Sequence, residues 1–139
     1  VESVPAEGEA ELQKLAADPA NAGATAADAY AGLGLCARQR NDSAQAETWL
    51  RKALEFDPNN TTALYALAEL SQTQKKTLQG RAFLQRYHAR TRPTAQSLWL
   101  GVLIEQASDG DSQLRREYSV LLLSQFPNSD EARRLKPSK

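Results

Sequence analysis

The chain has 139 residues, the length of one domain, and its 17 basic and 17 acidic side chains give a net charge of zero. That balance argues against nucleic-acid binding by the chain as a whole, because such binding depends on an excess of Lys and Arg. With 41% apolar and 24% charged residues the composition is that of an ordinary globular protein. No apolar run reaches the ~20 residues of a membrane-spanning helix.

The first predicted element is a helix near residues 7–17, followed by a predicted loop at 18–26. The stretch EAELQKLAADP has the pattern of the second helix of a repeat whose first helix is missing. We therefore expect the partial repeat before residue 21 to continue upstream in the native protein. The chain contains no Met and begins without a basic-then-apolar leader, so we expect any targeting segment to have been removed.

Residues 27–60 and 61–94 form two units of a 34-residue repeat, because large apolar residues of one unit fall on large residues of the other. In the first unit the defining positions are Tyr30, Leu33, Gly34, Ala46, Leu50, Ala53 and Pro58. Small residues at Gly34 and Ala46 allow two antiparallel helices to approach closely, and Pro58 separates one repeat from the next. This pattern resembles the tetratricopeptide (TPR) repeat.

The stretch SLWLGVLIEQ (97–106) predicts the first helix of a third hairpin, because Leu100 and Gly101 repeat Leu33 and Gly34 about two periods later. Gly101 is then expected where the helices of this hairpin come closest. The helix is apolar all round, which is typical of a helix with neighbours on several sides.

The sequence thus predicts an all-α, TPR-like superhelix of three helical hairpins, preceded by a partial N-terminal helix and closed by a C-terminal capping helix. Ser129 is expected to cap the last helix, and Asp111 or Ser112 the helix before it. The predicted repeats are 27–60, 61–94 and 95–128. The predicted helix pairs are 27–40 with 43–56, 61–74 with 77–90, and 95–107 with 112–125, and the capping helix covers about 129–136.

Side chains with catalytic or metal-binding chemistry are few. His88 has no Cys or carboxylate near it in the sequence, so we expect it at the surface or between helices. Cys36, the single cysteine, lies on the buried side of a helix, where a thiol packs rather than reacts. No phosphate-binding glycine loop, nucleophile elbow or zinc-protease motif is present. We therefore predict that the chain is not an enzyme and has no catalytic residue, metal or cofactor.

Charge is unevenly distributed along the chain, because residues 70–104 carry six basic residues and no acidic one. One interpretation is an ordinary solvated helix face. The other is a basic patch, suited to an acidic protein surface or an anionic polymer. The patch would consist of Arg81, Arg86, Arg90 and Arg92.

The first helices of the three hairpins are expected to line the concave side of the stack. The predicted groove residues are Leu35, Arg38, Tyr65, Glu69, Leu98, Val102 and Glu105. One cation against two acids argues against a clamp for a peptide carboxylate. The apolar members predict either a docking site for a helix or an extended peptide, or side chains that the stack itself buries.

Six segments together resemble one family, the type IV pilus biogenesis and stability TPR lipoproteins, or pilotins. The resemblance covers roughly residues 9–135 and fits the C-terminal half of such proteins; FLQRY, SLWLG and then FPNS followed by EA are its specific part. The segments are GLCA (34–37), LRKALEFDP (50–58), ALYALAEL (63–70), GRAFLQRYHA (80–89), SLWLGVLIEQ (97–106) and FPNSDEARRL (126–135).

The resemblance implies a periplasmic protein, tethered to the outer membrane by an N-terminal lipid, that helps the secretin assemble or localise. The expected partners are the outer-membrane secretin or other pilus-assembly proteins, without nucleic acid and without a spanning segment in this chain. The chain departs from the family in lacking the lipidation cysteine and the upstream repeats. The alternative function is a TPR peptide-binding adaptor in another complex.

Overall fold

The computed structural model describes residues 6–21, 23–107 and 112–135. Over these ranges the chain consists of helices joined by short turns, without a strand. The prediction of an all-α, TPR-like stack is confirmed. The helices are α1 (Ala6–Ala17), α2 (Ala24–Gln39), α3 (Ser43–Phe56), α4 (Thr61–Thr73), α5 (Thr77–Arg90), α6 (Ala95–Gln106), α7 (Gln113–Gln125) and α8 (Asp130–Leu135).

Helix α2 begins at Ala24, inside the predicted loop 18–26 and before the predicted helix start at residue 27. Gly23 precedes it with a φ of 60°, a left-handed conformation that glycine adopts without the steric penalty of a Cβ. The alanines that follow have the highest helix propensity, and Ala26 is buried, so the helix extends back to the glycine. The repeat period locates the unit, whereas local propensity decides where its helix starts.

The turns inside the first two hairpins have the same backbone conformation. Asn41 and Lys75, which are 34 residues apart, have φ values of 62° and 59°. The residue after each donates its N–H to a carbonyl five residues earlier, at 2.9 Å in the first turn and 2.8 Å in the second. This is a Schellman-type helix end. The repeat is therefore a property of the backbone as well as of the side chains.

Polar side chains cap most of the helices. Asp42 and Asn60 accept backbone N–H groups at the starts of α3 and α4, and Thr94 forms a capping box at α6. Ser112 caps α7, as one of the two predicted alternatives; the other, residue 111, lies outside the described residues. Ser129 Oγ accepts from the Ala132 N–H at 3.1 Å, which confirms the predicted cap of α8.

The core runs along the stack between the paired helices. Two glycines allow the helices of a hairpin to approach: a Cβ on Gly34 would lie 2.6 Å from Leu50 Cγ, and a Cβ on Gly101 would lie 2.6 Å from the Tyr118 ring. The close contact predicted at both glycines is confirmed. The large side chains that are fully buried include Leu50, Leu64, Leu67, Leu84, Leu98, Ile104 and Leu122.

The helices form two rows. The inner row consists of α2, α4 and α6, each of which packs on the next. The outer row consists of α3, α5 and α7, each of which packs on its hairpin partner. Outer helices are farther apart, and side chains bridge them: Arg51 lies over the Phe83 ring at 5.5 Å, and the rings of His88 and Tyr118 are 5.9 Å apart. Helix α1 packs on α2, and α8 packs on α6 and α7.

Candidate functional site

The inner row carries a groove made of two adjoining clefts that share Tyr65 and Glu69. One cleft of about 310 Å³ lies beside the first half of α4, and one of about 290 Å³ lies between α4, α6 and α8. The inner groove is defined by Leu35, Arg38, Tyr65, Glu69, Tyr87, Trp99, Leu103, Glu131 and Arg134.

Four of the predicted groove residues line this groove. Leu35 and Arg38 come from α2, and Tyr65 and Glu69 come from α4. Arg38 Nη1 donates to Glu69 Oε1 at 2.8 Å, which joins the two helices across the groove. Because the two charges neutralise each other, the centre of the groove does not offer a lone cation for a peptide carboxylate.

Aromatic rings form much of the groove surface. The Tyr65 and Tyr87 rings are 5.0 Å apart, and the Arg134 guanidinium lies 5.8 Å from the Trp99 ring. Burial, followed by the charge of Glu69, raises the pKa of Tyr65 to about 12, so its hydroxyl stays protonated and can donate a hydrogen bond. The groove therefore combines apolar area with a few polar groups, which is the chemistry of a protein-docking surface.

Two predicted groove residues lie elsewhere. Leu98 and Val102 are 0% and 1% exposed, so they are core side chains, and their predicted place in the groove is wrong. The error comes from matching Leu100–Gly101 to Leu33–Gly34, which is one residue short of two 34-residue periods. One residue rotates a helix by about 100°. The strict period places Trp99 and Leu103 in line with Tyr65 and Glu69, and these two do line the groove.

Glu105 is also absent from the inner groove. It is 1% exposed and forms a two-point ion pair with Arg81, Nε to Oε2 at 2.8 Å and Nη2 to Oε1 at 2.7 Å. Ser112 Oγ also donates to Glu105, at 3.0 Å. Its hydrogen bond with Arg81 lowers the pKa of Glu105, in spite of burial. A predicted groove acid and a predicted patch cation thus neutralise each other where α5 packs on α6, which corrects both placements.

The remaining members of the predicted basic patch are Arg86, Arg90 and Arg92, and all three are exposed. Arg86 Nη2 donates to the Pro58 carbonyl at 2.7 Å, so it ties α5 to the turn before α4. Arg90 ends α5 and Arg92 lies in the segment between α5 and α6. The patch is therefore smaller than predicted, and it is concentrated at the C-terminal end of α5.

His88 lies between helices. Its Nε2 is 2.8 Å from Ser97 Oγ, which belongs to the capping box of α6, and its ring faces Tyr118 of α7. Burial lowers the pKa of His88. In the part of the chain that the structure describes, no group of three or more His, Cys, Asp or Glu side chains could hold a metal ion. Likewise, none of the described helices is long and apolar enough to span a bilayer.

Comparison with known proteins gives the same class of fold and a set of relatives. The tetratricopeptide repeat family matches residues 27–60. The type IV pilus assembly protein PilF of Pseudomonas aeruginosa is 51% identical over 49 residues, which are 35% of this chain and 19% of PilF. The resemblance found in the sequence, to the TPR proteins of type IV pilus biogenesis, is confirmed.

Two solved structures resemble this chain. PilW, described as a widely conserved type IV pilus biogenesis factor, superposes with a TM-score of 0.78 at 28% identity, over 94% of this chain and 59% of PilW. The structure of Pseudomonas aeruginosa PilF gives a TM-score of 0.78 at 21% identity, over 91% of this chain and 55% of PilF, and at that identity it shows the fold. The chain thus spans a little over half the length of these proteins.

Proposed function

We propose that this chain is a protein-docking scaffold of the pilotin type, which supports assembly or localisation of the outer-membrane secretin during type IV pilus biogenesis. The similarity to PilW over 94% of the chain supports a role in pilus biogenesis. The finer role, with the secretin as partner, rests on the family resemblance of the sequence segments. The same resemblance supports a periplasmic location, with a lipid tether in a part of the native protein outside this chain.

The inner groove carries the proposal. It crosses three helices of the rigid inner row, and its rings and apolar side chains surround one neutralised charge pair, Arg38 with Glu69. Helical grooves of this kind bind an amphipathic helix or an extended segment through a few apolar anchors. Tyr65 and Trp99 are the expected anchors, because large rings with few rotatable bonds dominate protein interfaces.

The test is retention of the secretin by the immobilised chain from a detergent extract of outer membranes. Leu35→Glu places a charge in the inner groove, whereas Leu78→Glu makes the same change at a leucine on α5 that is 74% exposed and lies outside the groove. We expect Leu35→Glu to lower secretin retention roughly tenfold, which is about 1.4 kcal/mol, and Leu78→Glu to leave it unchanged.

Retention of the secretin to the same extent by both variants would exclude the inner groove as its docking site. Specific retention of another protein in place of the secretin, lost in Leu35→Glu, would favour the alternative of a TPR adaptor in another complex. Melting curves of both variants establish that they fold equally well before retention is compared.

A further inference from the structure

The outer face of α7 is more apolar than the corresponding face of α3 in the first hairpin. Val120, Leu121 and Leu123 are 64%, 37% and 36% exposed. Pro58 and Pro127 are 69 residues apart, and at the same separation Val120 and Leu121 correspond to Arg51 and Lys52 of α3. A position that carries a cation in the first hairpin is thus apolar in the third. Exposed apolar side chains that cluster on one face are a mark of a docking surface.

A groove adjoins this face. The outer groove is the space of about 390 Å³ between α5 and α7, and its apolar lining includes Ala89, Pro93, Leu114 and Leu121. Its floor is formed by Tyr118 and by Leu98 of the inner row. Helices α5 and α7 do not pack directly on each other, and the rings of His88 and Tyr118 bridge them, so the outer groove lies over these two rings.

Charge around the outer groove is asymmetric. Arg90 and Arg92 are exposed at the end of α5, beside Pro93 of the groove lining, within a segment of six basic and no acidic residues. Glu117 lines the α7 side of the groove and accepts a hydrogen bond from Gln113 Nε2 at 3.0 Å. An occupant with acidic side chains at one end therefore meets complementary charge at the C-terminal end of α5.

We propose that the outer groove is a second docking surface, which binds an acidic amphipathic helix of a partner protein. The apolar face of that helix packs on Val120, Leu121 and Ala89, and its acidic residues lie next to Arg90 and Arg92. A helix fits because the groove is bordered by residues 85–93 on one side and by residues 114–121 of α7 on the other, and anchors at every third or fourth position match such a groove. This surface lies on the opposite row from the inner groove and is independent of it.

The probe is a fluorescent helix-forming peptide as long as α5, with leucines at every third or fourth position and glutamates at one end. A second peptide carries lysine in place of each glutamate. We expect the acidic peptide to bind roughly tenfold more tightly in fluorescence anisotropy, with an affinity that falls as salt is raised. Arg90→Gln combined with Arg92→Gln should abolish the difference between the peptides.

Leu121→Glu, in the outer groove, should weaken binding of the acidic peptide, whereas Leu78→Glu, the matched change on α5 outside the outer groove, should not. Trp99→Ala, in the inner groove, should also leave it unchanged, which separates this surface from the proposed secretin site. Equal binding of both peptides, or equal binding by Leu121→Glu and the unaltered chain, would overturn the proposal. The proposal would also be overturned if the chain bound neither peptide but bound vesicles of phosphatidylglycerol, or if it formed a dimer that Leu121→Glu disrupts.

Discussion

The first and third hairpins pack their two helices together in the same way, but the residues around that contact differ in charge and polarity. In both, a glycine on the first helix receives a side chain of the second, Leu50 against Gly34 and the Tyr118 ring against Gly101. The second helix of the first hairpin, α3, carries an exposed ion pair of Arg51 with Glu47, whereas that of the third, α7, exposes Val120, Leu121 and Leu123. The first helix of the third hairpin, α6, carries the buried Glu105, which pairs with Arg81 of the second hairpin. The repeated small and large residues therefore determine how the helices pack. The chemistry that distinguishes the hairpins lies at the other positions, which the repeat pattern does not specify.

The largest difference between the hairpins should appear when an ion pair is broken. Arg81→Ala leaves the carboxylate of Glu105 buried without its cation, and we expect the free energy of unfolding to fall by about 3 kcal/mol. Arg51→Ala in the first hairpin removes an exposed partner of Glu47 and a contact over the Phe83 ring, and should cost less than about 1 kcal/mol. Urea unfolding followed by circular dichroism measures both, and equal losses would contradict the assignment.

The second prediction concerns the close packing at glycine that the first and third hairpins share. Gly101→Leu forces a side chain into the Tyr118 ring, which lies 2.6 Å from the position of a Cβ, and should destabilise the chain by about 1–3 kcal/mol. Gly80→Ala is the control, since the nearest atoms lie 3.3 Å from its Cβ position and the gain in helix propensity, up to about 1 kcal/mol, offsets the tighter contact. A thermal melt of Gly101→Leu that matches the unaltered chain would disprove this helix contact.

The smallest expected effect is a dependence on pH that His88 introduces, on α5 of the second hairpin. Because burial lowers the pKa of His88, the unfolded chain binds a proton more readily than the folded chain just below pH ~6.5. The free energy of unfolding should therefore fall as pH is lowered from about 7.5 to about 5.5. Glu105 stays ionised over this range, because its pKa is lowered, and does not contribute.

His88→Gln should flatten that dependence. The corresponding position of the first hairpin, 34 residues earlier, is Leu54, which has no titratable group. Unfolding by urea at the two pH values, with and without the substitution, provides the measurement. An unchanged slope in His88→Gln would mean that another group is responsible.

Most of the fold could be predicted from the sequence, because close packing of repeated hairpins imposes a period on small and large residues. The start of α2 was missed, since the period does not report the helix propensity of Ala24. For α6 the predicted register was wrong by one residue, because it matched Leu100–Gly101 to Leu33–Gly34. Gly101, which accommodates the Tyr118 ring, lies one residue away from the position that the strict period gives. Of the predicted groove residues, those on α2 and α4 line the inner groove, and those on α6 do not.

Long-range pairing explains the remaining errors. The ion pair of Arg81 with Glu105 joins residues 24 positions apart on two different hairpins, and no local pattern distinguishes them from exposed charges. Exposure of Leu121 depends on how far α5 lies from α7, which is a property of the assembled stack. The sequence pattern of an outer helix does not distinguish an apolar residue that is buried from one that is exposed.

The spacing of the outer helices has a mechanical consequence. The inner row is a continuous spine, in which each helix packs directly on the next, whereas the outer row is joined by a few side chains such as Arg51 over Phe83. Bending that opens or closes the outer gaps would strain these side-chain bridges and the packing of α3 on α4 and of α5 on α6, while bending across the spine would have to separate buried leucines. Since the outer helices do not pack directly on one another, we expect a change in the curvature of the stack to alter the spacing of the outer helices first.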